Sequence, residues 1–226
     1  MDTKIRKALL WILDLAINIA IIFGLVMIIQ KWFIAPFDVS GASMCNTLNF
    51  MEGKCINGYG EKIIINEATY IFNQPERGEI VVFKTDEDED KYFIKRIIGL
   101  PGETVKIEDG EVYVTTSDES KTFQLEEDYL NAENKGNTNP YFRDFSVFEV
   151  PEDYYFVLGD NRMSSTDSRS CFQSSISKSC KSNGKEAYVP KDLIRGKAWI
   201  VWWPLSSLRI IEDPKYQTVS VSLEEK

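Results

Sequence analysis

The chain has no histidine in any of its 226 positions. That absence excludes Ser-His-Asp and Cys-His catalysis and removes the commonest zinc ligand. Acid–base chemistry near neutral pH must then fall to another side chain. Cysteine is scarce: Cys45, Cys55, Cys171 and Cys180 are the four, and none are spaced as the C-x-x-C of a zinc knuckle or redox motif. Structural disulfides are the expected use in an oxidising compartment. Positive charge is also short. Lys and Arg number 26 against 35 Asp and Glu, a net charge of -9, and no basic stripe stands out. Nucleic acid, which needs clustered Lys and Arg, is therefore not an expected partner. Neither composition nor spacing asks for a metal or another cofactor.

One feature is present in excess. From Ala8 to Ile29 the chain is almost continuously apolar, and as a helix this run of about 22 residues spans roughly 33 Å, enough to cross a hydrocarbon core. Lys4, Arg6 and Lys7 precede it and Lys31 alone follows closely, so the positive-inside bias puts the N-terminus in the cytoplasm and the remainder outside. The run exceeds a usual signal-peptide core and no small-x-small site closes it, which predicts an uncleaved signal-anchor. Asp14 and Asn18 share one face of this helix and are expected to satisfy each other.

Beyond the membrane the pattern changes to strands. Short β-branched and aromatic runs, such as Ile63-Ile64-Ile65, Ile80-Val81-Val82-Phe83 and Tyr92-Phe93-Ile94, are separated by turn signals including Asp109-Gly110. The acidic stretch Asp86 to Asp90 reads as an exposed hairpin tip. The expected organisation is a cytoplasmic N-terminus over 1–7, a transmembrane helix over 8–29 and a mainly β extracytoplasmic domain over 30–213. A small excursion is expected near 115–147 and a frayed tail over 214–226.

Three clusters carry chemistry. In Ser40-Gly41-Ala42-Ser43-Met44, small neighbours leave room for a peptide to approach the serine and for backbone N–H groups to meet an oxyanion. In Tyr92-Phe93-Ile94-Lys95-Arg96-Ile97, strand alternation puts Phe93, Lys95 and Ile97 on one face. An ammonium on an apolar face is desolvated, which lowers its pKa toward the range a general base needs. The third cluster, Gly159 to Arg169, is dense in short polar side chains and can hold a catalytic group by hydrogen bonds or merely satisfy its own backbone.

In this order after an anchor, the clusters resemble the type I signal peptidases, membrane serine proteases of the Ser-Lys dyad type. Arg77-Gly78-Glu79-Ile80-Val81-Val82-Phe83, Arg195-Gly196-Lys197-Ala198 and Trp203-Pro204-Leu205 extend the resemblance to about residue 205. It implies a coiled β-sheet catalytic domain of signal-peptidase type with Ser43 as nucleophile and Lys95 as general base. Ser165 would position the lysine, with Asp160, Arg162 and Asp167 as a charged scaffold. Met44 would line the cleft. The oxyanion would be held by the Ser43 N–H, with Gly41 where some members place a serine hydroxyl, a form similar to Gram-positive members. The implied partners are pre-protein signal peptides with small residues at the first and third positions before the cut, the lipid bilayer, and a nearby secretion translocase.

Two departures stand out from the family pattern: Asn46 where proline is usual, and Met163 where aspartate is usual. They are the basis of an alternative, a weak or inactive relative acting as a membrane-tethered binding or assembly protein. Freeing φ at Asn46 is expected to loosen the turn after Ser43. Cys45 pairs with Cys55 or stays free. Cys171 and Cys180, in an extra polar segment between Arg169 and Val189, are expected to form a local disulfide.

Overall fold

The computed structural model describes residues 3–86, 90–141, 145–173, 184–214 and 216. Helix α1, Thr3–Trp32, contains the span Leu9–Met27, with a mean hydropathy of 2.4 and none of it packed against the rest of the chain. Its length suits a bilayer core. Within it the Asn18 side chain donates to the Asp14 backbone carbonyl at 2.9 Å, so the amide is satisfied by its own helix.

The rest is mainly β. In chain order the strands are β1 (Ile34–Ser40), β2 (Phe50–Met51), β3 (Lys54–Cys55), β4 (Tyr59–Asn66), β5 (Ile80–Phe83), β6 (Phe93–Gly99) and β7 (Thr104–Glu108). They continue with β8 (Glu111–Thr115), β9 (Thr122–Gln124), β10 (Val147–Glu149), β11 (Tyr154–Leu158), β12 (Val189–Pro190), β13 (Ile194–Trp203) and β14 (Arg209–Ile210). The principal sheet has the order β1-β4-β13-β5-β6-β11-β12, with β14 on β13, and every pairing is antiparallel. A second sheet has the order β10-β7-β8-β9. It runs from Thr104 to Glu149 and so includes the Asp109-Gly110 hairpin as well as the region after 115. Asp109 and Gly110 both take positive φ, 51° and 84°, as the tight hairpin turn requires.

Period-2 alternation explains the core. Glu61, Ile63 and Ile65 of β4 point inward in turn, and Ile63 and Ile65 join Val39, Met44, Leu48 and Val201 in one apolar cluster. Phe93 and Ile97 pack in another with Val81, Phe83 and Val157, which is the face foreseen for β6. Both faces of β6 are covered, so Lys95 and Arg96 are both buried. The second sheet packs Val105, Val112, Val114 and Phe123 onto Ile98 and Phe156 of the principal sheet.

Tyr216 packs against Gly78 along with Pro214, so part of the expected tail is docked. Residues 87–89 of the acidic stretch lie outside the described residues, while the flanking Asp86 and Asp90 are exposed.

Candidate active site

β1 is an edge strand, and its register on β4 shifts between Asp38 and Ser40. Such a bulge bends the strand and lets the chain leave the sheet into the turn that carries Ser43. That turn is firmly braced. The Asn49 side chain donates to the Val39 and Gly41 carbonyls at 3.1 and 3.0 Å and accepts from the Glu61 N–H at 2.7 Å. Glu61 in turn receives two guanidinium bonds from Arg209, which also reaches the Thr47 carbonyl at 2.7 Å.

Cys45 and Cys55 form a disulfide that ties the residue two after Ser43 to the β2–β3 hairpin. Asn46, the next residue, has φ 77°, in the left-handed region that proline's ring cannot enter. The expectation of a loosened proline turn is thus corrected: the backbone here is a different turn, suited to asparagine and tethered by the disulfide beside it.

Lys95 arrives from β6. It is 3% exposed, and its Nζ donates to Ser43 Oγ at 2.7 Å and to the Ile94 carbonyl at 2.8 Å. Among the described residues it has no ion-pair partner. Burial pulls its pKa down to about 8; Asp167 and Asp160 act in the opposite direction, and Lys91 adds slightly to the lowering. Once Lys95 is neutral, the same 2.7 Å separation lets the Ser43 hydroxyl donate to Nζ.

The third cluster docks directly onto the Ser43 turn. The Asn161 N–H donates to the Ser43 carbonyl at 3.0 Å, and its side chain to the Ala42 carbonyl at 3.0 Å. Gly159 lies beneath both serines: a Cβ there would come within 2.2 Å of Ser165 Oγ and 2.5 Å of the Ser43 carbonyl oxygen. Only glycine permits that approach.

Two charged residues of this loop, Asp160 and Arg162, pair outside their own cluster, and Asp167 pairs within it. Arg96 binds Asp160 through two nitrogens, at 2.9 and 2.6 Å, and Thr47 also donates to Asp160 at 2.5 Å. Arg162 forms a two-point ion pair with Glu127 and bonds Thr138 at 2.5 Å. Asp167 is gripped by Arg169 at 2.9 and 2.8 Å and by the Gly159 N–H at 3.1 Å. Burial alone would raise the Asp167 pKa, but these donors outweigh it and hold the carboxyl below its ordinary value. A buried charge needs such partners.

Three expected roles are revised. Ser165 Oγ is buried and close enough to Asp167 to favour its ionised form, yet it makes no hydrogen bond of ordinary geometry, to Lys95 or to any described residue. Gly41 has its one N–H committed to the Gly58 carbonyl at 3.1 Å, so it cannot also be an oxyanion donor; the Ser43 N–H makes no hydrogen bond among the described residues. Met44, expected on the cleft wall, is buried in the core cluster with Leu48, because the turn after Ser43 directs it inward. Met163 is largely exposed, and the buried pairs are complete without it. Cys171 is disulfide-bonded, while Cys180 lies outside the described residues.

Above these residues is a cleft of about 640 Å³, lined on one side by Phe37 to Ser43 and on the other by Asp90 to Lys95, Ser164 and Thr166. Among the described residues no group of His, Cys, Asp and Glu side chains is arranged to hold a metal ion. The arrangement can do nucleophilic chemistry: a hydroxyl, a base within hydrogen-bond reach, a free N–H, and a groove bordered by a sheet edge.

Asn49, Glu61, Arg96, Glu127, Asn161 and Arg169 escaped the sequence argument. Glu61 was the most readable, since it falls in phase with Ile63 and Ile65 and so points inward.

Comparison with known proteins identifies the family. The family model for signal peptidase, peptidase S26, matches residues 12–203. Signal peptidase I S of Bacillus subtilis (strain 168) is 32% identical, over 88% of this chain and 92% of that protein. Signal peptidase I of Bacillus amyloliquefaciens is 33% identical, over 88% and 91%. A solved signal peptidase I from Enterococcus faecalis V583 is 31% identical and covers 55% of this chain and 97% of its own, with a TM-score of 0.37. The chain belongs to the signal peptidase family, peptidase S26.

Proposed function

We propose that the chain is a membrane-tethered serine endopeptidase that removes N-terminal signal peptides from exported pre-proteins, with Ser43 as nucleophile and Lys95 as general base. The observation that carries this reading is the 2.7 Å separation between Lys95 Nζ and Ser43 Oγ at the floor of the cleft, with the lysine desolvated enough to release its proton near pH 8.

In the first half-reaction Ser43 Oγ attacks the scissile carbonyl carbon as its proton passes to neutral Lys95. The Ser43 N–H supports the oxyanion. Collapse breaks the C–N bond, and Lys95 returns the proton to the departing amine. Water, deprotonated by Lys95, then hydrolyses the Ser43 ester and regenerates the dyad. Asp160, Arg162 and Asp167, each with its buried partner, keep the loop in place against the Ser43 turn, and Ser165 packs among them.

The substrate enters extended. β1 is a sheet edge and one wall of the cleft, so a signal-peptide terminus with small residues at the first and third positions can add to it as a strand. α1 tethers this cleft to the outer face of the cell membrane in a single pass, N-terminus inside, beside the secretion translocase. Exposed Trp199, Trp202 and Trp203 on β13 suit the interfacial layer of the bilayer.

The test is cleavage of a pre-protein by the full chain in detergent or liposomes. Cleavage after a small-x-small sequence, abolished in both Ser43→Ala and Lys95→Ala, is expected; full activity in either variant would refute the dyad.

A further inference from the structure

The cleft has one wall from a part of the chain that the dyad chemistry does not use. Phe172 belongs to the extra segment after Arg169, and it lines the cleft together with Ser43, Lys95 and Thr166. Its ring meets Phe83 edge-on at 5.5 Å and Phe93 at 5.8 Å, while Phe83 and Phe93 stack at 5.9 Å. The Phe93 ring also lies beside Lys95, its centroid 5.9 Å from Nζ. Phe172 therefore touches the aromatic surface that borders the general base.

The backbone makes this placement deliberate. Cys171 and Phe172 take φ of 49° and 57°, two consecutive left-handed residues of a kind that costs a side chain about 1–2 kcal/mol each. Such strain persists only where the surroundings over-determine it. Here they do: the Phe172 N–H donates to the Asp167 carbonyl at 3.1 Å, the Gln173 N–H to the Ser170 carbonyl at 3.1 Å, and Cys171 is disulfide-bonded. Asp167 is itself anchored by Arg169 and Gly159. The ring is thus fixed to the same scaffold that holds the catalytic loop against Ser43.

We infer that Phe172 is a specificity-determining residue, a rigid aromatic wall that favours a side chain as small as the methyl of alanine in the cleft over larger aliphatic groups. The inference rests on the proposed peptidase site at Ser43 and Lys95. An aromatic ring packed on Phe83 and Phe93, on a backbone tied to the Asp167 and Ser170 carbonyls, cannot readily retreat from a larger side chain, and a pocket that excludes one or two extra methylenes discriminates by roughly 10–200-fold.

The experiment compares kcat/KM of the full chain in detergent for peptides that carry alanine, valine or leucine at either the first or the third position before the cut. For Phe172→Ala the leucine-to-alanine ratio at one of these positions should rise by about tenfold or more, with Phe172→Leu intermediate and Phe172→Trp shifted the other way. An equal loss for all peptides, the signature of a structural role, would overturn the inference, as would an unchanged ratio. Thermal melts identify which variants are folded, and should Phe172→Ala not fold, the opposed shifts in Phe172→Leu and Phe172→Trp decide the matter. Ser43→Ala, which must lose cleavage of every peptide, separates failure of the active-site reading from failure of this inference.

Discussion

Lys95 and Arg96 are consecutive on β6, 3% and 1% exposed, and their electrostatic fates are opposite. Strand alternation sends them to different faces. Lys95 meets a hydroxyl and a carbonyl, with no carboxylate paired to it, and burial draws its pKa down to about 8. Arg96 meets Asp160 through two nitrogens, bonds the Gly78 carbonyl at 2.7 Å, and stacks over the Tyr129 ring at 4.0 Å. Burial works against its charge as well, but Asp160 outweighs burial and lifts its pKa above the ordinary value. The two cations differ in partners, not in depth. Burial without a counter-ion makes a cation easier to deprotonate and so suited to act as a base; burial with one makes it a strut.

The same substitution at both positions tests this contrast. On the proposed dyad, Lys95→Met should lower activity by at least about a thousandfold, since it removes the amine in hydrogen-bond reach of Ser43 Oγ. It should leave stability at pH 7 unchanged or raised, because a desolvated ammonium is replaced by an apolar chain of similar length. Arg96→Met should do the reverse of the second effect and strand Asp160 in the interior, at a cost of about 3–5 kcal/mol. Urea denaturation of both proteins in detergent gives the comparison. Equal destabilisation would erase the distinction between base and strut.

That distinction was only half legible in the sequence. The face that carries Phe93, Lys95 and Ile97 followed from period-2 alternation, and the cluster containing Phe93 and Ile97 bears it out. The mainly β fold followed from short β-branched runs and turn residues. The ion-pair partners were not readable, because Asp160 lies 64 residues from Arg96 and Glu127 lies 35 from Arg162; such pairs are made by the coiling of the sheet, which no local pattern encodes. The proximity of Asp160, Arg162 and Asp167 in sequence suggested one scaffold, whereas each has its own partner. Asn46 misled for a related reason. A residue type suggests which φ values are open, but the tether between Cys45 and Cys55 and the brace at Asn49 belong to the fold.

The smallest effect probes the base alone. Activity governed by Lys95 should fall as pH drops below about 8, approaching tenfold per unit, as the ammonium form takes over. The sign for stability is set by the same shift. Between pH 8 and the ordinary lysine value near 10.5, the unfolded chain binds the proton that the folded chain has lost, so this group's contribution makes stability rise with pH across that window. Lys91 offers a fine adjustment. Its ammonium lies 4.8 Å from the Phe93 centroid, against 5.9 Å for Lys95, and its charge lowers the Lys95 pKa. Lys91→Gln removes that repulsion, so the inflexion of the pH–rate curve should move upward, toward the ordinary lysine value. Because Lys91 is exposed, the displacement should shrink in about 1 M salt, where the screening length falls to about 3 Å. Arg96 has no counterpart to this: its charge state does not change across the same pH range, so a downward shift in Lys91→Gln would mean that the titrating group in the rate profile is not Lys95.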